Sequence, residues 1–344
     1  MFVDLDQYYN NLMSIHGSTY TPVEDKKILH EDVIDHPSVS ADSSLNITEE
    51  KRKYFDSRLV LKSNRTIKEV FIHQSMIKAM TFKGDRRDFC ALKLYKTYIT
   101  CEIRSKPTMS MQKGNYFEAH ALNGGIDKNG DVLTLPLLRG NKKSADHLRI
   151  DEQVFNFKNN IVPQLDLIID PQVIWRQFTT LNADPTTRED FPFDIFIELE
   201  TDLISQIHYK SFQHDLAVID LKLTIDRNGC FGEFCWGEPE KMDNIQAYLY
   251  SFALSLPFFY LVIDYKRNDR GWKLVPVNTD INDPDPKSAN IASVRKREMF
   301  QTIRTVVSEI EHHHKNGWKT TPMPENCITC PIYDCKDRNT IKTI

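Results

Sequence analysis

The chain has 344 residues, 40% of them hydrophobic, enough for one large domain with additions or two modest ones and for a real core. Its 44 Lys and Arg against 48 Asp and Glu give a net charge of −4, which argues against binding nucleic acid through bulk charge but leaves room for a local basic patch. The longest apolar run, Leu254 to Ile263, contains Ser255 and Pro257 and stops at Asp264, too short to span a bilayer.

In chain order, residues 1–50 are polar and turn-rich, and 1–65 read as an extension or small cap. No basic region followed by an apolar stretch opens the chain, so a cytoplasmic protein with no membrane partner is expected. From Ile67, Val70, Phe71, Met76, Ala79 and Met80 recur at helical spacing. Further helices are expected from Asp88 to Ile99 and from Gly114 to Leu122, the latter closed by Gly124 and Gly125. The texture then changes. Ile161 to Ile169, Asp194 to Leu199 and Leu216 to Leu223 read as strands, Met242 to Leu256 as a helix, and Phe258 to Tyr265 and Trp272 to Val277 as two more strands. A long helix over 289–314 ends in His312, His313 and His314, which diverge around a helix axis and so read as a solvated end. The order predicts an α/β core, a central mixed sheet flanked by helices, with helical additions and a Cys-rich tail.

Four places carry charged or polar groups that the pattern leaves to be explained. Asp220 and Lys222, in LAVIDLKL, lie two apart on a strand and face the same side. A buried carboxylate and ammonium are costly together unless they serve each other or a ligand. Metal-assisted phosphodiester hydrolysis needs that combination: carboxylates hold Mg²⁺ or Mn²⁺, and a lysine orients water or offsets charge on the phosphate. Alone, the same pair reads more readily as a surface salt bridge, because D-x-K is common. Gln246 and Tyr250 share one helix face at i and i+4. Glu118 stands beside Tyr116 and Phe117 on its helix. Asp166 interrupts PQLDLII; Asp194 and Asp215 are its rivals, and Asp166 is preferred because its flanks are the more apolar.

Taken in order, GNYFE at 114–118, PQLDLII around Asp166, DLK at 220–222 and QAYLY at 246–250 resemble the RecB-like branch of the PD-(D/E)XK nucleases, most of all phage-type and CRISPR-associated members. The resemblance covers roughly residues 80–336. It implies a restriction-endonuclease-like core over 66–318, an insertion around 171–212, and a Cys-rich tail over 319–344. It further implies a Mg²⁺- or Mn²⁺-dependent deoxyribonuclease, an exonuclease acting in DNA recombination, repair or processing. DNA would be its partner, alongside other recombination or replication proteins. Glu118, Asp166 and Asp220 would hold metal, with the Leu221 carbonyl as a further ligand. Lys222 would position or activate water, and Gln246 and Tyr250 would bind DNA or support Lys222. A non-catalytic DNA-binding member of the same fold, or a zinc-stabilised interaction protein, stays as the alternative.

Seven cysteines remain to be placed. Cys327, Cys330 and Cys335 lie close enough in sequence to converge on one metal centre. The resemblance supplies a fourth ligand upstream, Cys90, and implies a [4Fe–4S] cluster tying the early helices to the tail. Zinc held by Cys230, Cys235 and two tail cysteines is the competing arrangement; otherwise Cys101, Cys230 and Cys235 are expected to be structural.

Overall fold

A computed structural model describes residues 69–81, 90–103, 107–127, 130–169, 177–180, 193–231, 234–242, 244–254, 256–266, 271–320, 327 and 330–336. The expected cap over 1–65 lies outside the described residues, as does much of 171–192.

The frame is a four-stranded mixed sheet. Strand β4 (Leu203–Tyr209) pairs antiparallel with β5 (Phe212–Thr224), β5 pairs parallel with β8 (Phe258–Asp264), and β8 pairs antiparallel with β9 (Trp272–Val277). All seven residues of β8 are buried, as expected for a strand covered on both faces. A second sheet sets β3 (Asp194–Glu200) between β1 (Glu69–Ile72), which is parallel to it, and β2 (Gln177–Thr180), which is antiparallel. The chain passes from one sheet to the other through Thr201 and Asp202 alone.

Helices cover both faces of the larger sheet. On one side, Val218, Tyr260, Val262 and Val275 pack with α1 (Gln74–Thr81), α6 (Ile245–Leu254) and α7 (Pro286–Lys315) through Met76, Leu249, Ala253, Ile303 and Val306, and the second sheet joins this core through Ile195, Ile197 and Leu199. On the other, Ala217, Ile219, Leu221, Phe259 and Leu261 meet α3 (Met109–Asn123) and a helical run made of α4 (Ala145–Asn156), a π turn (Phe157–Ile161) and α5 (Val162–Leu165). From Leu216 onward, the alternation along β5 sends even-numbered positions to the first side and odd-numbered ones to the second. The result is a mixed α/β architecture with a central mixed sheet flanked by helices and a Cys-containing C-terminal region. Among the described residues, no helix is long and apolar enough to cross a membrane.

Two expectations change. The pattern from Ile67 resolves into a short strand, β1, followed by α1, because Val70 and Ile72 alternate into the core before the helical spacing of Met76, Ile77 and Met80 begins. The expected strand over Ile161 to Ile169 is instead the end of a helix. Ile150, Phe157, Ile161 and Leu165, at spacings of seven and four, are all fully buried and form one helical stripe. Asp166 ends that helix in the left-handed conformation, at φ 55°.

The tail closes on an early part of the chain. Helix α2 (Ala91–Leu94), extended by a π turn (Tyr95–Ile99), has Cys90 as its N-cap residue. Lys96 Nζ lies 3.2 Å from the Asp334 carboxylate, and the Tyr95 ring sits 5.0 Å from that of Trp318.

Candidate active site

Asp220 is 2% exposed on β5 and points, with Lys222, to the α6 side of the sheet. Its Oδ1 accepts a 2.6 Å hydrogen bond from Gln246 Nε2, and its Oδ2 meets the Lys222 ammonium. The one-turn spacing on α6 places Tyr250 on the same face as Gln246; it too is buried, within the field of Asp220 and Asp202 and hydrogen-bonded to the backbone of Glu200. Burial first, and then the Asp220 charge, push the Tyr250 phenol well above its ordinary range, so it acts as a neutral group.

The third acid is one that sequence reasoning missed. The pairing of Leu203 with Ile219 and of Ile204 with Val218, carried back by one residue, sets Asp202 opposite Asp220. Asp202 Oδ2 accepts 2.8 Å from the backbone N–H of Leu221. Burial, then the charges of Glu118 and Asp220, raise the Asp202 carboxyl well above the usual range. Those same interactions bring in Glu118 from α3, on the opposite side of the sheet. Burial works to lower the Lys222 pKa, but Asp220, Asp202 and Glu118 outweigh it and hold the ammonium above the ordinary lysine value. Three carboxylates therefore act on one cation, Asp220 in contact with it and Asp202 and Glu118 through their charge; the ammonium lies over the rings of Phe234 and Tyr260, 5.8 Å from each centroid.

Asp166 is not part of this group. Its carboxylate accepts from Gln206 Nε2 at 2.9 Å and lies 2.8 Å from His208 Nδ1, at the far end of β4. The six residues from Asp202 to His208 span about 20 Å of strand at ~3.3 Å each. The expectation that Asp166 shares a metal with Asp220 is corrected accordingly. Apolar neighbours marked it, but they are apolar because they end a buried helix. Asp215 is exposed on β5, and Asp194 opens β3 beside Glu69, eight positions before Asp202. A signal for Asp202 did exist: LISQIHY and FQHDLAVID flank the two-residue turn Lys210-Ser211, and folding them into a hairpin sets Asp202 against Asp220. The span expected as an insertion around 171–212 thus contains β3, β4 and the missed acid.

The donor set of Glu118, Asp202 and Asp220 is all oxygen and carries more negative charge than Lys222 balances, which suits a hard divalent cation. The Leu221 N–H is committed to Asp202, which fixes the strand at the point where the Leu221 carbonyl would serve as a ligand. Among the described residues, the one group of three candidate ligands with atoms all within 4.8 Å of one another is Cys230, Cys235 and Glu238. There Cys230 and Cys235 form a disulfide, which takes both out of the zinc set considered from sequence. Cys90, Cys327, Cys330 and Cys335 are free thiols; Cys335 is buried, and the Cys330 N–H donates to the Cys327 carbonyl. The Lys96–Asp334 pair sets the tail beside the helix that Cys90 caps. No protein-family model matches the chain, and no curated protein matches it.

Proposed function

We propose that this protein is a divalent-metal-dependent deoxyribonuclease with a RecB-like PD-(D/E)XK core. The observation that carries the reading is the buried Asp220 carboxylate shared by Lys222 on its own strand and Gln246 from the following helix, with the charges of Asp202 and Glu118 acting on Lys222. Asp202 takes the ligand role that the sequence motif suggested for Asp166. Mg²⁺ or Mn²⁺ held by these carboxylates would lower the pKa of a bound water and offset phosphate charge. Lys222, protonated and aimed along Asp220, orients the attacking water and stabilises negative charge building on the phosphate. Gln246 holds the Asp220 carboxylate in place, and Tyr250 braces the sheet crossover that presents Asp202. Cys90, Cys327, Cys330 and Cys335 would be the thiolates of a [4Fe–4S] cluster with a structural role, joining α2 to the tail where Lys96 and Asp334 already meet; zinc would ask for a closer grouping of three sulfurs than these four show.

The test is digestion of end-labelled linear and circular DNA with Mg²⁺, with Mn²⁺ and with EDTA. Cleavage by the wild type that EDTA stops, and that Lys222→Gln lacks while remaining folded, is the expected result. Linear DNA cut from its ends, with circles spared, marks an exonuclease. A folded, metal-loaded protein that leaves both DNAs intact would favour the non-catalytic alternative.

A further inference from the structure

The hairpin that walls Lys222 carries two cysteines that the proposed chemistry does not use. Strands β6 (Cys230–Phe231) and β7 (Phe234–Cys235) pair Cys230 directly with Cys235, and the two sulfurs are bonded. Cys230 is exposed and Cys235 buried. Phe234, next to Cys235, stacks on Trp236 at 5.0 Å and meets Tyr260 edge-on at 6.3 Å. The ammoniums of Lys78 and Lys222 lie 5.9 and 5.8 Å from the Phe234 centroid. The wall is tied down at its outer end as well: Trp236 donates its N–H to the Gly229 carbonyl at 2.9 Å, and its own carbonyl accepts from Lys273 Nζ at 2.5 Å. Gly237 follows so tightly that a Cβ there would lie 2.5 Å from the Asn228 carbonyl oxygen.

We infer that Cys230 and Cys235 form a reversible dithiol–disulfide site, whose state sets how firmly Phe234, backed by Trp236, covers Lys222. A two-residue strand pair is too short to be stable by itself, so the cross-link supplies what holds the wall. The exposed Cys230 thiolate attacks a low-molecular-weight disulfide, such as glutathione disulfide, giving a mixed disulfide and releasing one thiolate. The Cys235 thiolate then attacks the Cys230 sulfur, closing the protein disulfide and releasing the second. The protons of the two protein thiols pass to the two released thiolates, and the small disulfide is reduced to two thiols. A dithiol reductant reverses both steps. The disulfide keeps Phe234 over the ammonium and Lys222 on Asp220; reduction loosens the wall.

The full chain, equilibrated with glutathione disulfide or with dithiothreitol, is alkylated and mapped by mass spectrometry, and its lysines are acylated in parallel. Oxidation should protect both hairpin cysteines from alkylation, reversibly. Lys222 should acylate severalfold faster in the reduced protein, and Cys230→Ser should show the fast rate under both conditions. Cysteines that stay fully alkylatable under glutathione disulfide would overturn the proposal. So would stoichiometric zinc that keeps them from pairing, or a disulfide that forms and leaves Lys222 acylation unchanged. The cleavage arm rests on the nuclease reading, with the oxidised form expected to cut faster. If Lys222 acylation follows the thiol state and neither form cuts DNA, the thiol site stands and the nuclease reading alone fails.

Discussion

The two ends of β4 each meet an aspartate, and the two have opposite fates. At the first end Asp202 is drawn under the sheet crossover, held by the Leu221 N–H and pressed by Glu118 and Asp220 until its carboxyl resists ionisation. At the other, Asp166 caps a helix, half its side chain in water, shared between Gln206 and His208. What separates them is the partner strand: the Asp202 end of β4 lies against Asp220 and Lys222, and the His208 end lies against Gln213. The chemical weight of an acid here follows from what its neighbour in the sheet carries rather than from the polarity of its own flanks.

The sharpest way to break this contrast is to neutralise each aspartate in turn. Asp202→Asn should lower cleavage by about 10²–10³-fold, the range seen when one group that stabilises transition-state charge is removed. Asp166→Asn should stay close to wild type in rate. The reverse outcome in single-turnover assays would restore Asp166 and overturn the present site. A smaller effect belongs to Gln246→Ala. It removes the one amide donor on buried Asp220 Oδ1, and leaving such an acceptor unsatisfied costs about 1–3 kcal/mol. Urea denaturation should show that loss together with slower cleavage, whereas Gln206→Ala at the Asp166 end should change neither.

The helical run that ends in Asp166 begins beside a basic spot. Asp146 at its start pairs with Lys113, 2.6 Å away, and with Lys266, and both ammoniums lie over the Tyr265 ring, at 5.5 and 5.4 Å. Tyr265 donates its backbone N–H to Thr224, two residues beyond Lys222. Two cations on one anion near the site suit a DNA backbone phosphate. Lys113→Gln with Lys266→Gln should weaken DNA binding severalfold and flatten its salt dependence by up to about two units of slope, with kcat unchanged. Titrations at several salt concentrations check this. The least effect is one of stability. His147, 3% exposed beneath Tyr116, has its pKa lowered from 6.5, chiefly by burial. Its neutral form is the folded one, so its contribution is complete above about pH 6.5 and fades as acid protonates the unfolded chain. Stability measured between pH 7 and 5 should fall less steeply in His147→Gln than in wild type.

Much of this was legible beforehand where periodicity and chemistry coincide. β5, α6, β8, β9 and α7 all follow from alternation or helical spacing, and α3 closes at Gly124 as expected from its glycine pair. Asp220, Lys222 and Gln246 stood out because each places a polar group where burial demands an apolar one, and the structure gives each a partner among the others. Asp202 did not stand out. Its importance depends on a hairpin pairing 18 positions along the chain, and local polarity around Glu200, Thr201 and Asp202 resembles any turn. The helix before Asp166 was misread for the complementary reason: a five-residue apolar run looks like a strand until Ile150 and Phe157, further upstream, are counted with it.

The bond from Lys96 to Asp334 spans 238 positions. As an exposed pair it adds little by itself, yet it lies with the Tyr95–Trp318 contact at the one place where the described tail meets α2. During synthesis at roughly 5–20 residues per second, α2 would wait on the order of 10–50 s after leaving the ribosome before its partner emerges. Until then Tyr95, Ile99 and the thiol at its N-cap face solvent or a chaperone, so the birth of the protein contains an interval in which its second described helix is finished in sequence but not in structure.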